Sequence, residues 1–173
     1  MNNPVVGWDP ESGERVFGSV VMSLRKMWAP PNYGIFFTNR RVIFARISGY
    51  YNQDAGLIVD EIVRAGKKRE IEENQAKYAQ MSPQQMADGK DNVGVFYEHV
   101  LNVTVKGKRS LEMEFMFCTV QKLGWEKVGF NTWGVDLPDE AVRSLGDLLR
   151  KFLPTKLNVQ LQSSKLLASF GGP

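Results

Sequence analysis

The distribution of apolar residues predicts three strands near the start of the chain, at 14–24, 33–38 and 41–47. All three stretches are rich in β-branched or aromatic residues, which favour strands. In the second, Tyr33, Ile35 and Phe37 alternate with the residues between them, whereas the first suits a strand buried on more than one side. The sequence "WAPPN" separates the first two strands, because two adjacent prolines cannot take part in ladder hydrogen bonding. Asn39 tolerates the backbone of a tight hairpin, so it forms the corner between the second and third strands.

The same pattern returns after residue 92. Strands are predicted at 93–105, 110–120 and 124–133, separated by "KGKR" and "QKLG". In the second of these stretches the apolar residues alternate with a mostly polar set; the apolar residues are Leu111, Met113, Phe115 and Phe117. Short connections between successive strands predict an antiparallel meander.

Helical spacing of apolar residues replaces the alternation in two places. Residues 55–80 form a predicted helix that is apolar mainly in its first half, and "SPQQMADG" predicts a short helix at 83–87 with Ser82 as its cap. Together these segments form a helical insertion over about 50–92. The clearest helix lies in "DLPDEAVRSLGDLLRKFLP", whose apolar stripe must lie against a sheet; the stripe comprises Ala141, Val142, Leu145, Leu148, Leu149 and Phe152.

This order of elements resembles the pleckstrin-homology-like superfamily, and in particular its GRAM-related prokaryotic members. The best-matching pieces are "TNRRVIF" at 38–44 and "YEHV" at 97–100, and the resemblance covers about 12–154. It implies an α+β fold: an antiparallel barrel or sandwich of about six to seven strands, capped by the C-terminal amphipathic helix. The insertion would follow the third strand, and residues 155–173 would be a tail outside the domain.

Composition agrees with one intracellular domain. The chain has 173 residues, of which 43% are hydrophobic, and its net charge of +3 is spread along the sequence, so no nucleic-acid partner is expected. Cys118 is the single cysteine, which excludes an intramolecular disulfide and a zinc site of cysteine and histidine ligands. The N-terminus lacks the features of a signal peptide, and no apolar run approaches membrane-spanning length. We expect a cytoplasmic protein without cofactor or metal.

Residues with catalytic potential occur without the partners that catalysis needs. His99 lies within a predicted strand and Cys118 in an apolar one, so both are interpreted as structural. Of Arg40 and Arg41, we expect one side chain to point to water and the other to bind a carboxylate. Glu112 and Glu114 share a strand face and indicate a solvated surface. Phosphate-binding glycine motifs are also missing, so no enzyme is expected.

The family resemblance implies a binding module for phosphoinositides, other lipids or proteins. Arg25 and Lys26 match the basic end of the first strand in phosphoinositide-binding members, but "YGIFFT" in the second strand carries no basic residue. Several converging cations are needed to hold a multiply charged phosphate, so this site is not expected. A weaker form of lipid binding remains open, in which the loop 25–33 settles at an anionic membrane through Arg25, Lys26, Trp28 and Tyr33. The alternative is that Trp28 folds back onto the barrel end.

A protein partner is the main functional expectation. The inserted helix carries Ile58 and Ile62, and it is too long to be buried completely by a small barrel. In the tail, Leu157, Val159 and Leu161 alternate with polar residues, a pattern that can add a strand to the edge of a sheet, in its own fold or in a second copy as a homodimer. The tail could also pack along its own domain or be flexible.

Overall fold

The described part of the chain forms an α+β structure of eight strands and four α-helices. The computed structural model describes residues 13–25, 31–48, 57–107, 110–119, 122–132 and 138–171, and all their side chains except those of 57–65, 67, 119 and 122–124. The strands are β1 (Val16–Leu24), β2 (Asn32–Thr38), β3 (Arg41–Arg46), β4 (Val93–Phe96), β5 (Val100–Gly107), β6 (Leu111–Thr119), β7 (Lys122–Asn131) and β8 (Leu157–Leu161). The helices are α1 (Leu57–Ala79), α2 (Pro83–Ala87), α3 (Asp139–Phe152) and α4 (Ser164–Phe170).

All eight strands belong to one mixed sheet in the order β4-β3-β2-β1-β7-β6-β5-β8. Neighbouring strands are antiparallel except β5 and β8, which are parallel. The sheet is open, because within the part of the chain that the structure describes β4 and β8 form its two ends. The predicted α+β class is confirmed. The described sheet has eight strands, where six to seven were expected in a barrel or sandwich, and it does not close into a barrel.

The core lies between the two halves of the sheet. The halves join where β1 meets β7 over only two residue pairs, Ser23 with Asn131 and Leu24 with Phe130. Phe44 on β3 contacts aromatic rings from both β6 and β7, with ring centroids 5.0 Å from Phe115 and 5.3 Å from Phe130. Strands β2 and β3 read as nearly continuous apolar sequence because one face of each lies in this core and the other is covered by the segment 57–92, whereas β6 keeps its alternation.

Helix α3 packs against this core, as its apolar stripe predicts. Val142, Leu145 and Leu149 are buried, and Leu148 lies against β1. A Cβ atom at Gly18 of β1 would be 2.8 Å from Cδ1 of Leu148, so the glycine permits the close approach of the helix.

The helical insertion lies between β3 and β4, as predicted, and it packs on the outer face of the sheet. Met86 of α2 is buried with Phe36 and Ile43, and the Tyr78 ring of α1 lies 5.7 Å from that of Phe36. The hydroxyl of Tyr78 donates to the carbonyl oxygen of Arg46 at 3.0 Å. The predicted cap is confirmed, since the Ser82 side chain accepts from the Gln85 N–H and the Gln85 side chain accepts in return.

The predicted single strand at 93–105 is wrong. A 3-10 turn over Tyr97–His99 separates β4 from β5. The two strands lie in opposite halves of the sheet, so the chain has to change direction between them. His99 consequently lies in this turn and not within a strand, and its side chain is partly exposed.

The segment that we expected to be a tail forms β8 and α4. Strand β8 extends the sheet beside β5, and α4 packs on α3, with Phe170 buried. Gly146 of α3 lies so close to the carbonyl oxygen of Phe170 that a Cβ atom there would overlap it. Among the described helices, none is both long and apolar enough to cross a membrane.

Candidate functional site

The "TNRR" corner between β2 and β3 is fixed by a buried ion pair. The guanidinium of Arg41 donates to both carboxylate oxygens of Glu14, at 3.0 and 2.9 Å. Arg41 also donates to Oε1 of Gln84 at 2.9 Å, and the Thr38 hydroxyl donates to Glu14 at 2.7 Å. Arg40 is exposed. The expected division of roles between the two arginines is confirmed, and Arg41 ties the corner to α2.

Tyr97 attaches the turn between β4 and β5 to the same corner. Its hydroxyl donates to the carbonyl oxygen of Thr38 at 2.7 Å. Burial raises the pKa of Tyr97 above its usual value, and the carboxylate of Glu14 raises it further. The phenol therefore remains protonated and keeps this hydrogen bond at physiological pH.

A groove of about 350 Å³ lies beside β4. The residues that line it come from β3, α2, the connection between α2 and β4, β4 itself, the Tyr97–His99 turn and the end of β6; they are Arg41, Ala87, Asp88, Asn92, Val93, Gly94, Val95, Phe96, His99 and Cys118. This volume lies within the range of small ligand pockets, which starts at about 300 Å³. We call it the β4 groove.

One edge of β4 faces away from β3. The N–H of Tyr97 donates to the carbonyl oxygen of Arg40, and Val95 pairs with Val42. Since hydrogen-bonding direction alternates along an antiparallel strand, the backbone N–H groups of Gly94 and Phe96 point away from β3. Among the described strands none lies on that side. The groove therefore adjoins unpaired strand backbone.

Exposed apolar side chains continue from the groove onto the outer face of the sheet. Cys118, which lines the groove and is partly exposed, pairs with Trp125 on β7, and Trp125 is 64% exposed. Met116 shares the outer face of β6 and is 36% exposed. Leu101 is 42% exposed, at the position where the register between β5 and β6 shifts. Farther along this face the surface is ionic, with Glu114 bound to Lys127 at 2.9 Å.

Two of the four residues proposed for lipid binding are described, and both make contacts within the fold. Arg25 forms an ion pair of 3.1 Å with Glu112, and Tyr33 packs against the core with its ring 6.0 Å from that of Phe130. Lys26 and Trp28 lie outside the described residues.

Of the residues proposed for partner binding, those on β8 lie at the end of the sheet opposite β4. Leu157 and Leu161 of β8 pack against the core, whereas Val159 is 39% exposed. Ile58 and Ile62 lie on α1, and their side chains are outside the described part of the chain.

The residues of the β4 groove were not among those predicted from the sequence as a binding site. A signal was present for Trp125, because period-two alternation places it on the same strand face as Lys127, and a large aromatic residue on a polar face is unusual. For Gly94 and Phe96 no such signal existed. Their role depends on β4 being the end strand, which the local pattern does not reveal.

The described residues contain no group of three or more His, Cys, Asp or Glu side chains that could hold a metal ion. His99 lines the β4 groove beside the Phe96 ring, at 6.2 Å between centroids.

The sequence matches no protein-family model and no curated protein sequence.

Proposed function

We propose that this chain is a non-catalytic binding module with a pleckstrin-homology-like fold, and that its partner is another protein. The observation that carries the proposal is the β4 groove, in which unpaired strand backbone adjoins apolar and aromatic side chains. An extended segment of a partner could pair with β4 and insert an apolar side chain beside Phe96 and Cys118.

Several features support the fold assignment. Antiparallel strands pack as two halves around a common core, an amphipathic helix follows the last strand of the meander, and the insertion follows the third strand. The first two are features that the resemblance in "TNRRVIF" and "YEHV" implies, and the insertion resembles the helical segment of some prokaryotic members. The parallel strand β8 and helix α4 are additions to that pattern.

The chemistry of the groove favours a protein segment over a small ion. Strand addition uses main-chain hydrogen bonds for affinity and side-chain pockets for specificity, and β4 offers both. Beyond the groove, Met116 and Trp125 extend the apolar surface, and exposed aromatic residues are enriched at protein interfaces. A partner would bury this surface together with the groove.

The test uses peptides selected from a random library displayed on phage, with the full chain as the immobilised target. A selected peptide is synthesised with a fluorophore, and its binding is measured by fluorescence anisotropy. We expect Phe96→Pro to weaken binding by about tenfold or more, the equivalent of one or two lost hydrogen bonds. The substitution removes an outward N–H, and the backbone φ of −61° at Phe96 already suits proline.

The matched control is Phe96→Ala, which removes the ring but keeps the N–H. If binding depends on strand addition, the alanine variant binds the peptide more tightly than the proline variant. Slower hydrogen exchange at the Gly94 and Phe96 amides in the complex would support the same geometry. Failure to select any peptide, or equal binding by the proline variant and the unmodified chain, would overturn the proposal.

Lipid binding through the loop 25–33 is the competing function. The ion pair of Arg25 with Glu112 and the packing of Tyr33 leave two of its four residues engaged within the fold. Sedimentation with lipid vesicles distinguishes this function from strand addition, because a peptide-binding edge gives no vesicle binding.

A further inference from the structure

Strand β8 is the end strand opposite β4, and its sequence is "LNVQL". In the parallel pairing with β5, Leu157, Val159 and Leu161 are opposite Val103, Val105 and Gly107. Val103 and Val105 are buried, so these three β8 side chains share the inner face of the sheet. Asn158 and Gln160 consequently lie on the outer face, and both are exposed.

No described strand lies beside the outer edge of β8. The N–H of Val103 donates to the carbonyl oxygen of Lys156, and the N–H of Gln162 donates to that of Gly107, both at 2.8 Å. The backbone N–H and C=O groups of the even-numbered β8 residues, such as Asn158 and Gln160, therefore point toward β5. By alternation, the N–H and C=O groups of Leu157, Val159 and Leu161 point outward, where no described strand pairs with them.

This edge lacks the usual protection against pairing. Sheet edges in soluble proteins are commonly guarded by charged residues, proline or bulges. Strand β8 contains neither charge nor proline, and its pairing with β5 runs through all five residues without a register shift. An edge of this kind accepts another strand.

The pattern of β8 is symmetric about Val159. On either side of Val159 there is first an amide residue and then a leucine. When two copies pair antiparallel about Val159, Asn158 of each lies opposite Gln160 of the other, and Leu157 lies opposite Leu161. The outward N–H and C=O groups of Val159 in the two copies then form a hydrogen-bonded pair. The hydrogen-bonding pattern and the side-chain pattern are therefore both symmetric about Val159.

We propose that two copies of this chain associate through β8, antiparallel and centred on Val159. The two sheets then form one continuous sheet, with both inner faces on the same side. The backbone groups of Leu157, Val159 and Leu161 gain partners, and the exposed Val159 side chains pack against each other at the axis. The inference is independent of the proposed function, which uses the opposite edge of the sheet.

The first test is sedimentation equilibrium over a range of concentrations up to millimolar. We expect a monomer–dimer equilibrium for the unmodified chain. Val159→Lys places two ammonium groups opposite each other at the axis, and we expect it to raise the dissociation constant by about tenfold or more. The matched control is Val93→Lys, which changes a valine of similar exposure, 42%, on β4 and should leave the dimer intact.

Mixing Val159→Lys with Val159→Glu should restore association as a heterodimer, because the charges at the axis are then opposite. Far-UV circular dichroism of each variant checks that it is folded. A chain that stays monomeric at millimolar concentration, or a dimer that Val159→Lys does not weaken, would overturn the proposal.

A covalent test does not depend on charged variants. Paired residues at a hydrogen-bonded position of an antiparallel ladder have Cα atoms about 5.5 Å apart, which a disulfide can span. In a Cys118→Ser background, Val159→Cys should therefore form a crosslinked dimer under mild oxidation, whereas Val93→Cys should not. Equal crosslinking of the two variants would contradict pairing through β8.

Discussion

The guanidinium of Arg41 and the carboxylate of Glu14 form a bidentate ion pair with both side chains almost fully buried, at 8% and 3% exposure. The pair joins the residues before β1 to the start of β3, and through Gln84 it reaches α2. The β4 groove is lined in part by Arg41, so the geometry of the candidate site depends on this pair.

We predict that Arg41→Met lowers the free energy of unfolding by about 3–5 kcal/mol, because it removes the guanidinium that offsets the buried negative charge of Glu14. Urea denaturation measures the change. Adding Glu14→Gln to Arg41→Met should recover part of the loss, since the buried charge is then removed. The matched control is the exposed neighbour, Arg40→Ala, which should change stability by about 0.5 kcal/mol or less. Equal effects of the two arginine substitutions would refute this explanation of the corner.

Tyr97 makes stability sensitive to alkaline pH. Burial, and then the Glu14 carboxylate, raise the pKa of Tyr97 in the folded state above its unfolded value of about 10. The folded protein therefore holds the phenolic proton more tightly, and this contribution to stability is complete below about pH 10 and decreases as pH rises toward the folded pKa.

The corresponding variant is Tyr97→Phe. At neutral pH it should cost about 1 kcal/mol through the lost hydrogen bond to Thr38. Between about pH 10 and 11, the free energy of unfolding should fall less steeply with pH for this variant than for the unmodified chain. The two slopes should differ by up to about 1.4 kcal/mol per pH unit, the value for one proton. Urea unfolding at a series of pH values tests this, and parallel pH profiles would show that Tyr97 does not contribute.

Two helical glycines should respond oppositely to alanine. A Cβ atom at Gly146 would overlap the carbonyl oxygen of Phe170, which is backbone and cannot yield while α4 remains docked. We expect Gly146→Ala to destabilise the protein by about 1–3 kcal/mol. Gly66 of α1 is exposed, and a Cβ atom there would meet open space, so Gly66→Ala should stabilise by up to about 1 kcal/mol through helix propensity. Thermal and urea unfolding compare the two, and a stabilising Gly146→Ala would contradict the close docking of α4.

We expect the chain to remain in the supernatant when it is sedimented with anionic vesicles at physiological salt. Arg25 is held by Glu112 and Tyr33 by the core, so these residues are not available as a basic and aromatic membrane contact. Sedimentation with vesicles that is weakened by salt and by Trp28→Ala would instead support a peripheral membrane function.

Individual strands, helices and the helix cap were predictable from the sequence because each depends on residues close together in the chain. The alternation around Phe115, the stripe containing Leu145 and Leu149, and the Ser82 cap each depend on residues a few positions apart, and the structure has strand, helix and cap at those places. The division of roles between Arg40 and Arg41 was also predictable, since a paired and a solvated arginine is the usual outcome at a hairpin corner.

The break at Tyr97–His99 was not predictable from alternation, which continues through it. The turn exists because β4 and β5 pair in different halves of the sheet, and pairing across the chain has no local pattern. The β4 groove was missed for the same reason. Gly94 and Phe96 become available only because no described strand follows β4 at that end of the sheet.

By itself, the sequence determined most of the strands and helices up to residue 152 and their apolar faces, because hydrophobic periodicity is set by backbone geometry. Only the tertiary structure decided which strands lie at the ends of the sheet, that 157–161 pairs in parallel with β5, and that the sheet stays open. These properties depend on contacts between residues far apart in the chain, and an edge becomes a binding surface only when nothing else in the fold covers it.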